Sequence, residues 1–479
     1  MPPDDEATWD LLCAADTVGV FQVESRAQMN CLPRLRPRTF YDLVIEVALI
    51  RPGPIQGDMV HPFLRRRQGR EAVTYPHPKL APILERTLGV PLSQEQGMKI
   101  AVAAAGFTAG EADELRRAMG HKRSHERMGA LAERLVGGMV HHGIDRASAE
   151  RILHQLSAFA DYGFPESHAA SFARLVWVSA WLKRHHPDAF LCALLNAQPM
   201  GFYAPAVLVS DAQRHGVVVL PVDVLHSAWD CTLEAPPQDS TRAPDASCGT
   251  RQLAVRLGLC TVRGLGEGHA DDVRAGLASV AERGPFVSPE DFAARTGVGR
   301  RVMEHLARLG ALGGFETRRR QALWRVARMA RKVPGPLAAA APREPPVALP
   351  EPSRAELLRE DYRMGGISLG GHPLKLLRPA LDRSGVRRAE QLADPGPEAG
   401  APARSGSRHG TVDEGLICVA GLVICRQRPV TAKGMTFLTV EDETGFANLV
   451  LTPPVAERHR AGLAAAVVLA RGRLERADG

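Results

Sequence analysis

Two rhythms of apolar and polar residues run along this chain. Residues 73 to about 210 read as mostly helical, with Phe172, Leu175, Val176 and Trp181 on one buried helix face. From residue 413 the apolar positions gather into short runs separated by turns, the habit of strands. LICVAGLVICRQRPV, MTFLTVEDETG and FANLVLTPP predict three strands, with a turn at 443–445. VAERHRAG predicts a short helix, and AAAVVLARGRL a fourth strand. Upstream, VGVFQVES is strand-like, and YDLVIEVALI at 41–50 is apolar enough to be a buried helix or a strand. RPGPIQG must then be a loop, because Pro52 and Pro54 fix the backbone and remove donors.

Local signals sharpen this outline. Thr108 is a good N-cap for a helix starting at Ala109, with Glu111, Asp113 and Glu114 early, Arg116 and Arg117 late, and Gly120 as its stop. A second helix follows the loop at 163–166, with Ser167 and His168 near its start, where N–H groups favour an anion. VVVLPVDVLHSAWDCTLE predicts short strands, and EAPPQDSTRAPDASCG is a turn-rich loop. Residues 333–352 form a proline and alanine linker, and 394–410 a second low-complexity stretch.

Charge and composition narrow the class. Sixty Lys and Arg against 53 Asp and Glu give a net charge of +7 over 479 residues, a balance that favours polyanionic partners. Eight scattered cysteines (Cys13, Cys31, Cys192, Cys231, Cys248, Cys260, Cys418, Cys425) without a CxxC pair read as reduced thiols, so a cytoplasmic setting is expected. No window resembles a signal peptide or a membrane span, since ASFARLVWVSAWLKRHH is broken by Arg174 and Lys183.

Three groups of residues are candidates for binding. Past the helix that holds Arg116 and Arg117, the basic residues His121, Lys122, Arg123, His125 and Arg127 crowd together. A bound polyanion would relieve their repulsion, whereas Arg116 and Arg117 themselves also suit the helix dipole. Gly264-Leu265-Gly266 followed by Ala270 fits the helix-hairpin-helix pattern GhGxxxA, in which the turn lets N–H groups approach a phosphate; a plain helical hairpin is the other reading. A second Gly-rich end is expected at 309–314. Phe437 and Phe446 are candidate stacking platforms or barrel-filling residues. Metal-assisted phosphoryl transfer needs convergent carboxylates, and the pairs Asp4/Glu6, Glu111/Asp113 and Glu441/Glu443 do not provide them. No catalytic residue and no metal ligand are therefore assigned.

Some of these stretches carry a specific resemblance. GVFQVESRAQM, RPGPIQGDMV, VPLSQEQGMKIA and GEADELRRAMGHKR, with YGFPESHAASFA at 162–173, resemble the C-family bacterial DNA polymerases, the polymerase III alpha type. Phe164-Pro165-Glu166-Ser167-His168 is most similar to their error-prone branch; replicative members tend to have Asn-Lys in place of Pro165-Glu166. The similarity covers nearly all 479 residues but only the second half of such an enzyme.

The resemblance implies a multidomain, mainly α fingers region with helix-hairpin-helix motifs and a small all-β OB-like domain at the C-terminus. Expected spans are 1–72 for the end of the palm and its junction, 73–210 for the helical fingers, and 211–330 for their continuation with the hairpins. A linker with short helices follows at 331–412, and a truncated OB-like domain at 413–479. The resemblance places nucleotide contacts at Arg51, Arg116, Arg117, Lys122 and His168, and DNA contacts at Arg123, Gly264, Gly266, Phe437 and Phe446. Arg51 can also be read as a loop residue capping carbonyls. Arg51, Arg116, Lys122 and His168 are expected to share one concave surface. Ser93 stands where relatives usually have an aromatic residue, which is expected to loosen local packing.

By the same resemblance the complete enzyme uses Mg2+ bound by palm aspartates outside this chain. Its partners are primed DNA, dNTPs, the palm half, a Y-family-like recruiting protein and, indirectly, the sliding clamp. The rival reading is a non-catalytic DNA-binding repair accessory; an RNA-binding factor with an OB-fold is a third.

Overall fold

The computed structural model describes residues 1–2, 4–51, 54–55, 59–118, 125–157, 164–200, 203–238, 252–329, 347–393, 416–429 and 432–475, with the side chains of 118, 125–130 and 393 left out. Two compact units divide the chain, one over Met1–Arg184 and the other over His185–Pro429 with Gly434–Glu475.

The first unit is helical. YDLVIEVALI resolves as the helix Phe40–Leu49, because Thr39 and Asp42 form a reciprocal capping box that starts it. Every residue from Asp42 to Leu49 is buried, which explains why no polar face was visible in the pattern. VGVFQVES is not a strand. Gly19 and Gln22 take left-handed φ values of 77° and 64°, and the Thr17 hydroxyl donates to the Val23 carbonyl (2.6 Å), so the segment turns back and buries Val18, Val20 and Val23.

Ser93 corrects another expectation. It is 5% exposed and caps the helix Gln94–Ala105 in a box with Gln96. The Gln96 amide bonds outward as well, accepting from Leu92 N–H (2.7 Å) and donating to Thr87 Oγ1 (2.8 Å). This position therefore tightens the local structure. The helix His125–His141 crosses Gln94–Ala105 at Gly138, where an added Cβ would stand 2.2 Å from the Ala105 carbonyl oxygen. Thr108 caps Ala109–Ala118 as expected, with its N–H donating to Glu111 Oε2 (2.8 Å); Gly120 lies outside the described residues.

The long helix Glu166–His185 buries Ala169, Ala173, Val176, Trp177, Ala180 and Lys183. Leu175, expected on that face, is 48% exposed. Small residues and Trp177, stacked on Trp9 with centroids 4.3 Å apart, form the contact stripe.

The second unit begins with helices Pro187–Asn196 and Pro205–Arg214, then a three-stranded sheet of β1 (Val219–Leu220), β2 (Thr232–Glu234) and β3 (Ala254–Arg256) in the order β1-β3-β2. Helices Ala270–Ala278, Pro289–Thr296, Arg300–Leu309 and Arg319–Met329 follow. Gly276 admits the backbone at Arg295, whose oxygen would lie 2.5 Å from a Cβ there. Helix Arg354–Met364 is tied to this bundle by Arg319–Asp361 (2.6 Å), Arg308–Glu360 (3.2 Å) and Arg320–Glu356 (3.1 Å). Thus residues 347–393 of the expected linker are built into the unit.

The last part is a sheet of β4 (Val386–Arg387), β5 (Leu416–Gln427), β6 (Thr436–Glu441), β7 (Phe446–Leu451) and β8 (Val467–Arg473). Strands β5, β6 and β7 form an antiparallel meander, and β8 pairs antiparallel with β5. Short helices Pro453–Arg458 and Arg460–Leu463 lie between β7 and β8, giving the OB-like order expected. Leu438, Val440 and Ala447 form the core of this sheet. The parallel strand β4, which joins β5 at Cys418 and Val419, had no counterpart in the sequence pattern.

Candidate nucleic-acid interface

Two glycine turns of the same build stand beside each other in the second unit. In the first, Gly264 adopts φ 95°, Leu265 is 5% exposed, and Gly266 in extended backbone caps the short 3-10 turn Glu267–His269 that runs into Ala270–Ala278. In the other, Gly297 adopts φ 68°, Val298 is 5% exposed, and Gly299 in extended backbone caps Arg300–Leu309. The buried apolar residue anchors each turn while the second glycine faces out. An added Cβ would meet nothing within 4 Å at Gly266 or Gly299, so the first N–H groups of each helix, which lack intrahelical partners, are open to a ligand.

The second turn corrects the expected repeat at 309–314. Gly310 there, with φ 81°, simply terminates Arg300–Leu309. Gly297-Val298-Gly299 keeps the GhG half of the pattern and places buried Met303 where the first turn has buried Ala270. The helix after the second turn touches the first turn through His305, whose Nδ1 bonds the Arg263 carbonyl and would lie 3.4 Å from a Cβ added at Gly264. Their charges differ. Exposed Arg263, Glu267 and Asp271 flank the first, whereas exposed Arg300 and Arg301 open the helix after the second and Asp272 lies against Gly297, its Oδ2 4.0 Å from where a Cβ would stand. Arg300 is shared with Glu304 (2.7 Å). The second turn is therefore the better seat for a phosphate.

In the first unit the structure brings Arg51 and His168 to one ring. The Arg51 guanidinium stacks on Phe164, 3.5 Å from its centroid, while its Nε is buried with no hydrogen-bond partner among the described residues. Burial holds its pKa below the ordinary guanidinium value. His168 is exposed, its ring 5.0 Å from Phe164 and 4.2 Å from Phe172. Phe21, 38% exposed, meets Phe172 edge-on at 5.3 Å. These groups form an aromatic ladder with a cation at one end.

The start of Glu166–His185 is already partly occupied. Glu166 N–H donates to Glu95 Oε2 (2.9 Å), and the Tyr41 hydroxyl donates to Glu166 Oε1 (2.8 Å). Burial and that carboxylate push the Tyr41 phenol up to about 12. The anion site expected at this helix start therefore shares its N–H groups with a protein acid.

Arg116 and Arg117 both bind Asp113, each at 2.9 Å, on their own helix. These contacts hold the Asp113 carboxyl below its usual value, and they are what the helix pattern alone predicts. Lys122 and Arg123 lie outside the described residues, as do His121, Tyr162 and the side chains of His125 and Arg127.

On the OB-like sheet, Phe437 and Glu441 share the face opposite Leu438 and Val440, and Phe446 pairs directly across from Glu441. Neither phenylalanine therefore points with the Leu438–Val440 core. Phe446 is covered by Arg214, 4.7 Å from its centroid, which also binds Glu441 (2.9 Å). Phe437 pairs across to Val450, 54% exposed. The neighbouring acids are engaged in ion pairs: Arg378 binds Asp442 (3.1 Å) and both oxygens of Glu443. Burial nonetheless raises Glu441 to about 7.

Comparison with known proteins agrees with this layout. The family model described as the bacterial DNA polymerase III alpha subunit finger domain matches residues 1–143, and a helix-hairpin-helix motif model matches 216–322, which includes both glycine turns. A protein named error-prone DNA polymerase from Anaeromyxobacter sp. (strain K) is 51% identical over 477 residues, covering 99% of this chain and 40% of the relative. Relatives of that name from Methylococcus capsulatus and Pseudomonas aeruginosa are 48% and 49% identical, covering 98% and 96% of this chain and 44% and 42% of their own lengths. The chain thus spans about two fifths of the length of these relatives. With a finger-type region followed by a helix-hairpin-helix segment and matched along nearly its whole length, the chain is a homologue of the C-terminal portion of the error-prone DNA polymerases, of the bacterial polymerase III alpha type.

Proposed function

We propose that this chain is the DNA- and nucleotide-gripping portion of an error-prone DNA polymerase acting in damage-induced synthesis and repair. Template-directed nucleotidyl transfer requires Mg2+ held by convergent acids, and on this reading those acids lie outside the chain, which alone binds DNA without extending it. The paired glycine turns carry the reading. Their open N–H groups, with Arg300 and Arg301 beside the second, suit a sugar-phosphate backbone read without regard to sequence. Arg51, stacked and desolvated beside His168, suits the triphosphate side of an incoming nucleotide. Arg116, Arg117, Lys122 and Arg123 would add positive charge for the same polyanions, with Phe437 and Phe446 as the stacking positions on the OB-like sheet. Recruitment by a Y-family-like protein and the sliding clamp belongs to the same proposal.

Fluorescence anisotropy of a labelled primed template tests it, because Gly266→Asp and Gly299→Asp put a negative charge in open space without crowding the fold. Each variant is expected to weaken binding at least tenfold, Gly299→Asp more, with a flatter salt dependence. Unchanged affinity in both variants would remove the turns from the interface. Primer extension with a separately expressed palm half then separates polymerase from accessory: rescued synthesis supports the polymerase, and binding without rescue supports the accessory.

A further inference from the structure

We propose that Cys231 and Cys260 are a redox-modifiable pair that closes to a disulfide when the chain meets a hydroperoxide. Segments 228–231 and 258–260 lie against each other, with Leu259 N–H donating to the Ala228 carbonyl (3.0 Å) and Cys260 N–H to that of Trp229 (2.9 Å). Gly258 N–H donates to Cys231 Sγ (3.3 Å). A Cβ on Gly258 would stand 2.6 Å from Cys231 N and 2.5 Å from the Trp229 oxygen, so only glycine permits the approach. Cys231 Sγ therefore faces Gly258, two residues from Cys260, and the two thiols shift each other's ionisation in opposite directions.

The two sulfurs divide the chemistry. Cys260 is half-buried, the less enclosed of the two, and its interaction with Cys231, then its backbone and Arg274, holds its thiol below the ordinary value. Cys231, 4% exposed, is held above it by the same interaction and by burial. The Cys260 thiolate attacks the peroxide oxygen, breaking the O–O bond to give a sulfenic acid and hydroxide. Cys231 sulfur then attacks the sulfenic sulfur. The S–S bond forms, the S–O bond breaks, and the Cys231 proton leaves with the hydroxyl as water. Overall two thiols lose two electrons and two protons, and hydrogen peroxide becomes two waters.

Position gives the bridge its effect. Cys231 immediately precedes β2, and Cys260 is the middle residue of the 3-10 turn Leu259–Thr261, which runs straight into the first glycine turn. A disulfide would fasten the base of that turn to the sheet. Its formation does not depend on the turn's binding DNA, so failure of either idea leaves the other standing.

The test uses the full reduced chain, treated with hydrogen peroxide, quenched with N-ethylmaleimide, then digested and mapped by mass spectrometry. The expected result is a linked pair of peptides carrying Cys231 and Cys260, two hydrogens lighter than their sum, with both sites lost to alkylation. In Cys260→Ser, at a half-buried position, Cys231 should stay fully alkylatable after unfolding. The proposal is overturned if Cys260 proceeds to the sulfinic acid with Cys231 free, or if both remain alkylatable. It is equally overturned if Cys231 joins Cys192, whose Sγ donates to the Cys231 carbonyl (3.2 Å). Because the wild-type map decides the matter, a variant that failed to fold would not shield the idea.

Discussion

Replacing Glu46 by leucine should stabilise the first unit, and by more as the pH rises. Glu46 lies on Phe40–Leu49 with 0% exposure, and neither carboxylate oxygen has a hydrogen-bond partner among the described residues. Burial therefore raises its pKa from 4.5 to about 8. In the unfolded chain the group ionises near 4.5, so between that pH and 8 the folded state holds a proton that the unfolded state has released. Stability must fall across this window, by about 1.4 kcal/mol for each pH unit. The window of 8 − 4.5 = 3.5 units sets a ceiling of about 5 kcal/mol. Leucine has a similar volume and nothing to desolvate. Urea unfolding followed by circular dichroism and tryptophan fluorescence at pH 5 and pH 8 should show Glu46→Leu more stable at pH 8, with the gap shrinking by several kcal/mol at pH 5. A gap that stays constant between the two, or a variant weaker than wild type at pH 8, would refute the reasoning.

Two further substitutions test local claims. Ser93→Ala removes the acceptor for Gln96 N–H inside a buried capping box and should cost about 1–2 kcal/mol in thermal or urea unfolding; no loss would mean the cap is dispensable. Arg378→Ala leaves Asp442 and Glu443, whose side chains are 2% and 13% exposed, without their cation, and should cost about 3–5 kcal/mol in unfolding of the second unit. A variant as stable as wild type at neutral pH would show that those acids find other partners.

What the sequence disclosed, and what it hid, follows the range of each interaction. The Thr108 cap, the first glycine turn and the succession of strands and short helix along the last domain depend on neighbours within a few residues, and they could be read directly; the pairing of β8 with β5 joins distant segments and could not. VGVFQVES misled because its alternation of valines is cancelled by the left-handed Gln22, a residue type that carries no turn signal. The Leu175 face misled because large apolar residues were weighted over the alanines that allow close packing. The stacking of Arg51 on Phe164 joins residues far apart in the chain, so no local pattern records it. Gly297-Val298-Gly299 shares the GhG half of the pattern at Gly264 but carries Met303 where the pattern has a small alanine, so the full pattern does not single it out.

The small parallel strand β4 redraws where the last domain can be cut. A fragment beginning at residue 413, where low complexity invites the knife, would strip β5 of its neighbour at Cys418 and Val419 and take Arg378 away from Asp442 and Glu443. It would be left with an adhesive border and a knot of homeless negative charge, and should clump. A piece that keeps both contacts has to reach back to Pro373, so the helix Pro373–Arg383 is part of the sheet's foundation.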